Sequence, residues 1–343
     1  MTRTLAVRLD SLGDVLVTGP AIRALAGTSS HLTLLAGPLG QAAAGLLPGV
    51  DDVLCWRSPW IEARPEPVHR DHVEHLRAEV EARGYDRAVI FTSFHQSALP
   101  TALVIRLAGV PWVGGISEDY PGSLLDLRHR LPDDLPEPER ALSLAAACGA
   151  PLPPGDDGRL AVRATATAPP ALAPSPPYVV LHPGTSVPAR AWPAERFRET
   201  CARLVGEGHR VVVTGSAAER DLTAYVSGSS GAEDLGGRTD VPGLAGVLAA
   251  AEAVVVGNTG PAHLAAAVGT PVVSLFAPTV PAVRWAPYGV PRVLLGDQRA
   301  PCRDTRATTC PVPGHPCLGT VTADDVLAAV RTLSGAPVRE PAG

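Results

Sequence analysis

Apolar residues follow two alternating patterns along the first half of the chain. Short runs rich in apolar and β-branched residues predict strands at Leu5–Arg8, Leu32–Leu35, Val53–Cys55, Arg87–Phe91 and Val113–Ile116. Longer segments with a helical period predict helices at Val15–Ala26, Leu39–Leu47, Arg70–Arg83 and Ala98–Leu107, with Pro20 as a kink or restart in the first. Strands that alternate with helices imply right-handed crossovers and a parallel sheet.

The alternation restarts after a segment of different composition. Residues Ala164–Pro177 are poor in charge and rich in alanine and proline, which is typical of a semi-rigid linker. Beyond it we predict strands at Tyr178–Leu181, Arg210–Thr214, Ala253–Val256 and Val272–Phe276. The helices predicted there are Ala194–Glu207, Pro242–Ala251, Pro261–Val268 and Ala323–Leu333.

These patterns predict an α/β protein with two Rossmann-like domains. We place the domains at residues 1–168 and 178–335, with residues 169–177 as the linker. In open α/β sheets, ligands bind beyond the carboxyl ends of the strands. We therefore expect the two parallel sheets to face each other across a ligand cleft, and the functional residues to lie in the turns that follow strands.

Composition and charge exclude some classes of partner. The chain has 343 residues, a formal net charge of −5 and 4% aromatic residues. Nucleic-acid binding needs a basic surface and often aromatic stacking platforms, so we expect no nucleic-acid partner. The sequence contains no lysine. A few arginines are nevertheless enough to hold a small acidic ligand.

The N-terminal segment and the hydropathy favour a cytoplasmic protein. Three charged residues, Arg8, Asp10 and Asp14, interrupt the first apolar run, and no small-residue cleavage site follows it. No stretch approaches the roughly 20 apolar residues that a membrane-spanning helix needs. We expect at most peripheral membrane contact, and a monomer.

The first candidate functional turn is Arg8–Asp14, which directly follows the first strand. Ser11 and Gly13 permit a tight turn, and Asp14 begins the next helix. One interpretation is that the Asp14 carboxylate projects into the cleft and takes a proton from an attacking hydroxyl. The other is that Asp14 caps the helix, a role that aspartate fills well. This segment alone favours the helix cap.

Two turns in the second half have the features of an anion site. In the first of them, Thr185 and Ser186 offer hydroxyls to phosphate oxygens, and Arg190 could neutralise a diphosphate. In the second, Asn258 or Thr259 can cap a helix whose exposed N–H groups and dipole attract anions. Gly260 there lets a ligand approach the backbone, and His263 follows one turn later. An ordinary loop and a well-capped helix with a packed histidine are the structural alternatives.

Two further features have a mainly structural interpretation. The turn Val213–Arg220 could border a ribose or base, but a capped helix with Glu219 in its first turn explains it better. Cys302, Cys310 and Cys317, with His315, lack the compact C-x₂-C spacing of zinc sites. We therefore favour a structural loop there over a metal site.

Taken together, the motifs resemble glycosyltransferase family 9, the ADP-heptose:lipopolysaccharide heptosyltransferases. The resemblance spans nearly the whole chain, in the right order. It rests on Arg8–Val15, His182–Phe197 with Trp192–Phe197, Gly257–Gly269 with Pro271, Phe276–Thr279, and the cysteine-bearing Pro301–Leu318. It implies the GT-B fold and an inverting transfer of a sugar, heptose from ADP-heptose by the family's name, to an acceptor hydroxyl. It also implies that no metal or other cofactor is required.

Carried over by position, the resemblance assigns a role to each candidate residue. Asp14 would be the general base that deprotonates the acceptor. The donor and its diphosphate would be bound by Thr185, Ser186, Arg190, Asn258, Thr259, Gly260 and His263. The N-terminal domain would bind the acceptor, which we expect to be a secondary metabolite or a cell-envelope glycan, and the C-terminal domain the nucleotide sugar.

The chain departs from the family pattern at two of these positions. Arg190 stands where the family usually has lysine, which keeps the charge but changes the hydrogen-bonding geometry. Asn258 stands where many members have an aspartate that holds sugar hydroxyls. Asn258 therefore leaves transfer from another nucleotide hexose as one alternative. Independently, the alternatives are a GT-B-like sugar-nucleotide epimerase or hydrolase and a non-catalytic two-lobed binding protein.

Overall fold

The computed structural model describes residues 2–131, 134–163 and 177–334. The chain divides into two compact units, Met1–Arg163 and Ala164–Gly343. Each unit contains a parallel six-stranded sheet with helices, so the predicted α/β class with two Rossmann-like parallel-sheet domains is confirmed. The predicted linker lies, except for Pro177, outside the described residues, and its position stays a prediction.

In the sheet of the N-terminal unit, the second and third strands lie on one side of the first strand, and the later strands lie on its other side. Its strands are β1 Arg3–Arg8, β2 His31–Ala36, β3 Asp52–Cys55, β4 Arg87–Ile90, β5 Trp112–Ile116 and β6 Leu127–His129. Its helices are α1 Leu12–Val17, α2 Gly19–Ala26, α3 Gln41–Ala44, α4 Arg70–Arg83, α5 Leu99–Leu107 and α6 Glu137–Ala147. The spatial order β3-β2-β1-β4-β5-β6 puts the topological switch point between β1 and β4.

The C-terminal unit has the same topology. Its strands are β7 Tyr178–His182, β8 Arg210–Val213, β9 Glu233–Asp234, β10 Ala251–Gly257, β11 Val272–Leu275 and β12 Arg292–Leu295. Its helices are α7 Ala194–Gly206, α8 Arg220–Ser227, α9 Val241–Ala249, α10 Gly260–Ala267, α11 Ala282–Trp285, α12 Pro316–Gly319 and α13 Ala323–Ser334. The order β12-β11-β10-β7-β8-β9 places the switch point between β7 and β10.

The central strands are apolar because helices cover them. All five residues of β7 are buried, as are the last five of β1. A strand buried on both faces gains roughly 1.5–3 kcal/mol for each large aliphatic side chain it removes from water. Arg8 is the exception: this charged residue ends β1 and is only 2% exposed. A buried guanidinium needs anionic partners, which marks the end of β1 as a polar site within an apolar sheet.

The structure corrects several predicted elements. The helix expected at Val15–Ala26 is two helices, α1 and α2, separated at Thr18, and the one expected at Leu39–Leu47 is the single turn α3. Ala251, predicted to end a helix, begins β10 instead. The short edge strands β6, β9 and β12 were not predicted. In the part of the chain that the structure describes, no helix is both long enough and apolar enough to cross a membrane.

Candidate functional site

Asp14 lies in the turn that connects β1 to α1, at the carboxyl edge of the N-terminal sheet. Ser11, rather than Asp14, is the N-cap residue, and the two form a capping box. The Ser11 backbone N–H and hydroxyl donate to Asp14 Oδ2 at 3.1 and 2.5 Å. Thus Asp14 does help to start the helix, as the structural alternative predicted. Only one of its oxygens is used for this.

The other oxygen of Asp14 belongs to a buried ionic cluster at the switch point. Arg8 Nη2 donates to Asp14 Oδ1 at 3.1 Å and to the Ser93 hydroxyl at 2.8 Å. The Arg8 Nε atom lies 2.9 Å from Asp10 Oδ2, and its Nη1 atom lies 3.9 Å from Glu137 Oε2. Ser93 follows β4, so the cluster joins the turns after the two strands that flank the switch point.

The neighbours of Asp14 keep it ionised. Burial raises the pKa of Asp14, but the charge of Arg8 and the hydrogen bonds from Ser11 outweigh burial and leave the pKa below its ordinary value. The side chain is 17% exposed, so the carboxylate is accessible. Its lowered pKa keeps it ionised at neutral pH. It can accept a proton, and its neighbours also hold its orientation.

Sequence reasoning did not identify the residues around Asp14. Asp10, Ser93, Gln96 and Glu137 contact Arg8 or its partners from positions up to 129 residues away along the chain. The usable signal was Arg8 itself, because an arginine at the end of an apolar strand requires buried acidic partners.

In the C-terminal unit, the two predicted anion turns meet at the switch point. One follows β7 and carries Arg190, and the other follows β10 and carries Asn258. Arg190 Nη1 donates to the backbone oxygen of Asn258 at 3.4 Å. The two turns predicted to bind anions are therefore in direct contact.

The hydroxyls of the first anion turn differ in their surroundings. Thr185 is half-buried, and its hydroxyl both accepts from Val187 N at 3.2 Å and donates to Val187 O at 3.4 Å. Ser186 is exposed on the same turn. Thr185 thus shapes the turn, whereas Ser186 presents its hydroxyl at the surface.

The side chain of Asn258 is used to join two loops. Its Nδ2 donates to Ala277 O and its Oδ1 accepts from Ala277 N, each at 3.4 Å. Ala277 follows β11, the strand next to β10. The amide therefore makes two hydrogen bonds to the Ala277 backbone, as a residue in a neighbouring strand would. Its Nδ2 can still donate once more, and its Oδ1 can still accept once more.

The start of α10 offers ligand-binding groups. Thr259 is the N-cap, with Gly260 and Pro261 at the first two helical positions. The Thr259 hydroxyl oxygen is buried and has no hydrogen-bond partner within the described residues. A buried polar atom of this kind is costly unless a ligand or water completes it. His263 is buried one turn later, with its ring centroid 6.3 Å from that of Trp285.

The turn that follows β8 is a capped helix start, as its structural interpretation predicted. The backbone N–H and hydroxyl of Ser216 donate to Glu219 Oε2 at 2.7 and 2.8 Å. His182, at the end of β7, is 2.9 Å from the Thr214 hydroxyl. Burial lowers the pKa of His182 to about 4 despite the nearby charge of Glu219, so the imidazole is neutral at neutral pH.

The cysteine-bearing loop supports the first anion turn. Ala189 N donates to Thr308 O at 3.0 Å, and His315 Nε2 lies 3.1 Å from Ala189 O. Cys302 and Cys317 are buried. Burial, with Cys302 as the neighbouring thiol, raises the pKa of Cys317 to about 12. Within the described residues, no group of three or more His, Cys, Asp or Glu side chains could hold a metal ion.

Comparison with known proteins points to one family. The model of glycosyltransferase family 9 (heptosyltransferase) matches residues 73–314. Lipopolysaccharide heptosyltransferase 1 of Pseudomonas aeruginosa is 38% identical over 138 residues, which make up 40% of this chain and 38% of that relative. Lipopolysaccharide heptosyltransferase 1 of Escherichia coli K12 is 27% identical over 294 residues, which are 81% of this chain and 89% of the relative.

A solved structure has the same fold over almost the whole length. The structure of E. coli heptosyltransferase WaaC with ADP-2-deoxy-2-fluoro heptose superimposes with a TM-score of 0.71 and 22% identity. The superposition covers 96% of this chain and 99% of that one. At 22% identity, this similarity supports a shared fold and nothing more.

Proposed function

Because the chain belongs to glycosyltransferase family 9, we propose that it transfers a heptose from a nucleoside diphosphate to an acceptor hydroxyl, with inversion at the anomeric carbon. One observation carries this proposal. The turns after β7 and β10 are joined by the Arg190–Asn258 bond, next to the unpartnered Thr259 hydroxyl. A guanidinium, a free hydroxyl and a helix N-terminus at a switch point are suited to a diphosphate.

In the proposed reaction the predicted C-terminal domain, residues 178–335, binds the donor. As the bond to the sugar breaks, negative charge develops on the diphosphate. Arg190, the Ser186 hydroxyl and the N–H groups at the start of α10 stabilise that charge. Thr259 and Asn258 offer hydrogen bonds to the donor, and Gly260 and His263 line the same helix start. These fixed charges and dipoles take the place of a metal, so we expect transfer without one.

The predicted N-terminal domain, residues 1–168, supplies the base and binds the acceptor. Asp14 takes the proton of the acceptor hydroxyl while the hydroxyl oxygen attacks the anomeric carbon and the nucleoside diphosphate leaves. General-base assistance of this kind is typically worth ~10²–10⁴ in rate. The lowered pKa of Asp14 ensures that the base is in its ionised form at neutral pH.

We propose ADP-heptose as the donor. The structurally similar E. coli enzyme is described with an ADP-linked fluoroheptose, and the relatives are named heptosyltransferases. Those relatives are named for lipopolysaccharide. For this chain we propose a hydroxyl-bearing acceptor, a secondary metabolite or a cell-envelope glycan.

The test is nucleoside diphosphate release from a panel of ADP-, GDP-, UDP- and TDP-linked sugars, each with and without acceptor. The acceptors are lipopolysaccharide inner-core fragments and polyhydroxylated small molecules. ADP release from ADP-heptose that occurs only when an acceptor is present supports the proposal. Equal release without any acceptor identifies a hydrolase, and a rearranged donor without release identifies an epimerase. Binding without turnover of any donor identifies a sensor and contradicts the proposal.

A further inference from the structure

The Arg8 guanidinium is shared between two carboxylates. Its Nε atom lies 2.9 Å from Asp10 Oδ2, and its Nη2 atom lies 3.1 Å from Asp14 Oδ1. The arginine is 2% exposed, so this one fixed positive charge is divided between them with little screening by solvent. An arginine does not lose its proton in proteins, and it therefore stays a cation throughout.

The start of helix α1 does not require Asp10. Ser11 and Asp14 form the capping box by themselves. Asp10 is held instead by Arg8 and by the Gln96 amide, which donates to its Oδ1 from the loop after β4. Its side chain is 9% exposed, and burying a carboxylate beside two others is costly. A carboxylate kept there at such a cost calls for another explanation.

We propose that Asp10 is a positioning residue that sets the proton affinity of Asp14 by competing with it for Arg8. This inference rests on the proposed role of Asp14 as the base. While Asp10 is ionised, Arg8 divides its charge and Asp10 repels Asp14, so Asp14 holds a proton more strongly. When Asp10 is neutral, Arg8 acts on Asp14 alone and Asp14 becomes a weaker base.

The surrounding charges agree with this arrangement. Arg8 and Asp14 face Asp10 from β1 and α1, while Glu137 and Arg140 contribute one charge of each sign from α6. Burial raises the pKa of Asp10 to about 6, against the lowering effect of Arg8. Asp10 therefore changes its charge just below neutral pH, where Asp14 is already ionised. Asp14 is therefore a stronger base above about pH 6, where Asp10 is ionised, and a weaker base below it.

The first test compares the pH dependence of kcat in the wild type and Asp10→Asn between pH 4.5 and 9. The asparagine keeps the size of the side chain and removes its charge, and its single carbonyl oxygen can still accept from Gln96. We expect kcat at pH 7.5 to fall roughly three- to tenfold, the acid limb near pH 6 to disappear, and KM for the nucleotide sugar to stay unchanged. Asp71→Asn, an exposed carboxylate of α4, is the matched control. A variant profile that parallels the wild type would overturn the inference.

A second readout does not depend on turnover. The ¹³C NMR signal of the Asp14 carboxyl in the wild type should respond twice to pH, once at its own titration and once near pH 6, when Asp10 titrates beside it. In Asp10→Asn the response near pH 6 should vanish and the midpoint of Asp14 should fall. An Asp14 signal with no response near pH 6 contradicts the sharing of Arg8. If the wild type transfers no sugar at any pH, the proposed function fails, while this titration still decides the inference.

Discussion

At the scale of single residues, Asn258 has a structural role that depends on its amide. Its amide both donates to and accepts from the backbone of Ala277. An aspartate at this position could accept from Ala277 N, but when ionised it could not donate to Ala277 O. The choice of amide is therefore consistent with a role in joining the turns after β10 and β11, in addition to any contact with the sugar.

Replacing Asn258 by aspartate should destabilise the protein in a pH-dependent way. The ionised carboxylate would face Ala277 O without a proton, at a cost of about 1–3 kcal/mol. Below its pKa the aspartate regains an O–H donor, so the loss should be larger at pH 8 than at pH 5. Thermal unfolding of both proteins at the two pH values measures this effect. Equal unfolding temperatures at pH 8 would show that the amide pairing contributes nothing.

At the scale of elements, Gly184 fixes how the turn after β7 meets the turn after β8. A Cβ atom at Gly184 would clash with Glu219 Oε1. The carboxyl group of Glu219 would have to move, and that group is the one that caps the helix start at Ser216. The glycine therefore makes room for a capping carboxylate rather than for a special backbone angle.

Gly184→Ala should consequently remove the capping box and cost about 1 kcal/mol. For a unit of this size, that corresponds to a fall of about 2–4 °C in Tm. In the background of Glu219→Ala, the same substitution should cost much less, because the clashing carboxyl group is absent. A double-mutant cycle of Tm values tests this, and additive effects of the two substitutions would rule out the proposed contact.

The central elements could be predicted from sequence, whereas the edge strands β6 and β9 could not. The strands β1, β2, β4, β7, β10 and β11 are buried apolar runs, which the hydrophobic pattern identifies directly. Glu233–Asp234 is a polar two-residue strand, and Leu127–His129 is only half-buried. These strands are defined by pairing with a neighbour, and nothing in their local sequence distinguishes them from loops.

At the scale of the whole molecule, the two units repeat one topology and place their candidate sites at equivalent points. Each sheet reverses direction beside its first strand, and each site lies in the turns after the two strands at that reversal. Motif reasoning located these turns correctly because they follow predicted strands. It did not find Ser93, which donates to Asp14 from 79 residues away in sequence and is brought close only by the strand order.

The most direct test of the central claim is to measure sugar transfer and ADP affinity together in Asp14→Asn. Asparagine keeps the size of the side chain but cannot serve as a base, so transfer from the active donor should fall by ~10²–10⁴. The dissociation constant of ADP, measured by calorimetry, should equal that of the wild type because the proposed donor site is in the C-terminal unit. Arg190→Gln is the converse control and should weaken ADP binding. Turnover by Asp14→Asn at the wild-type rate would show that Asp14 is not the base.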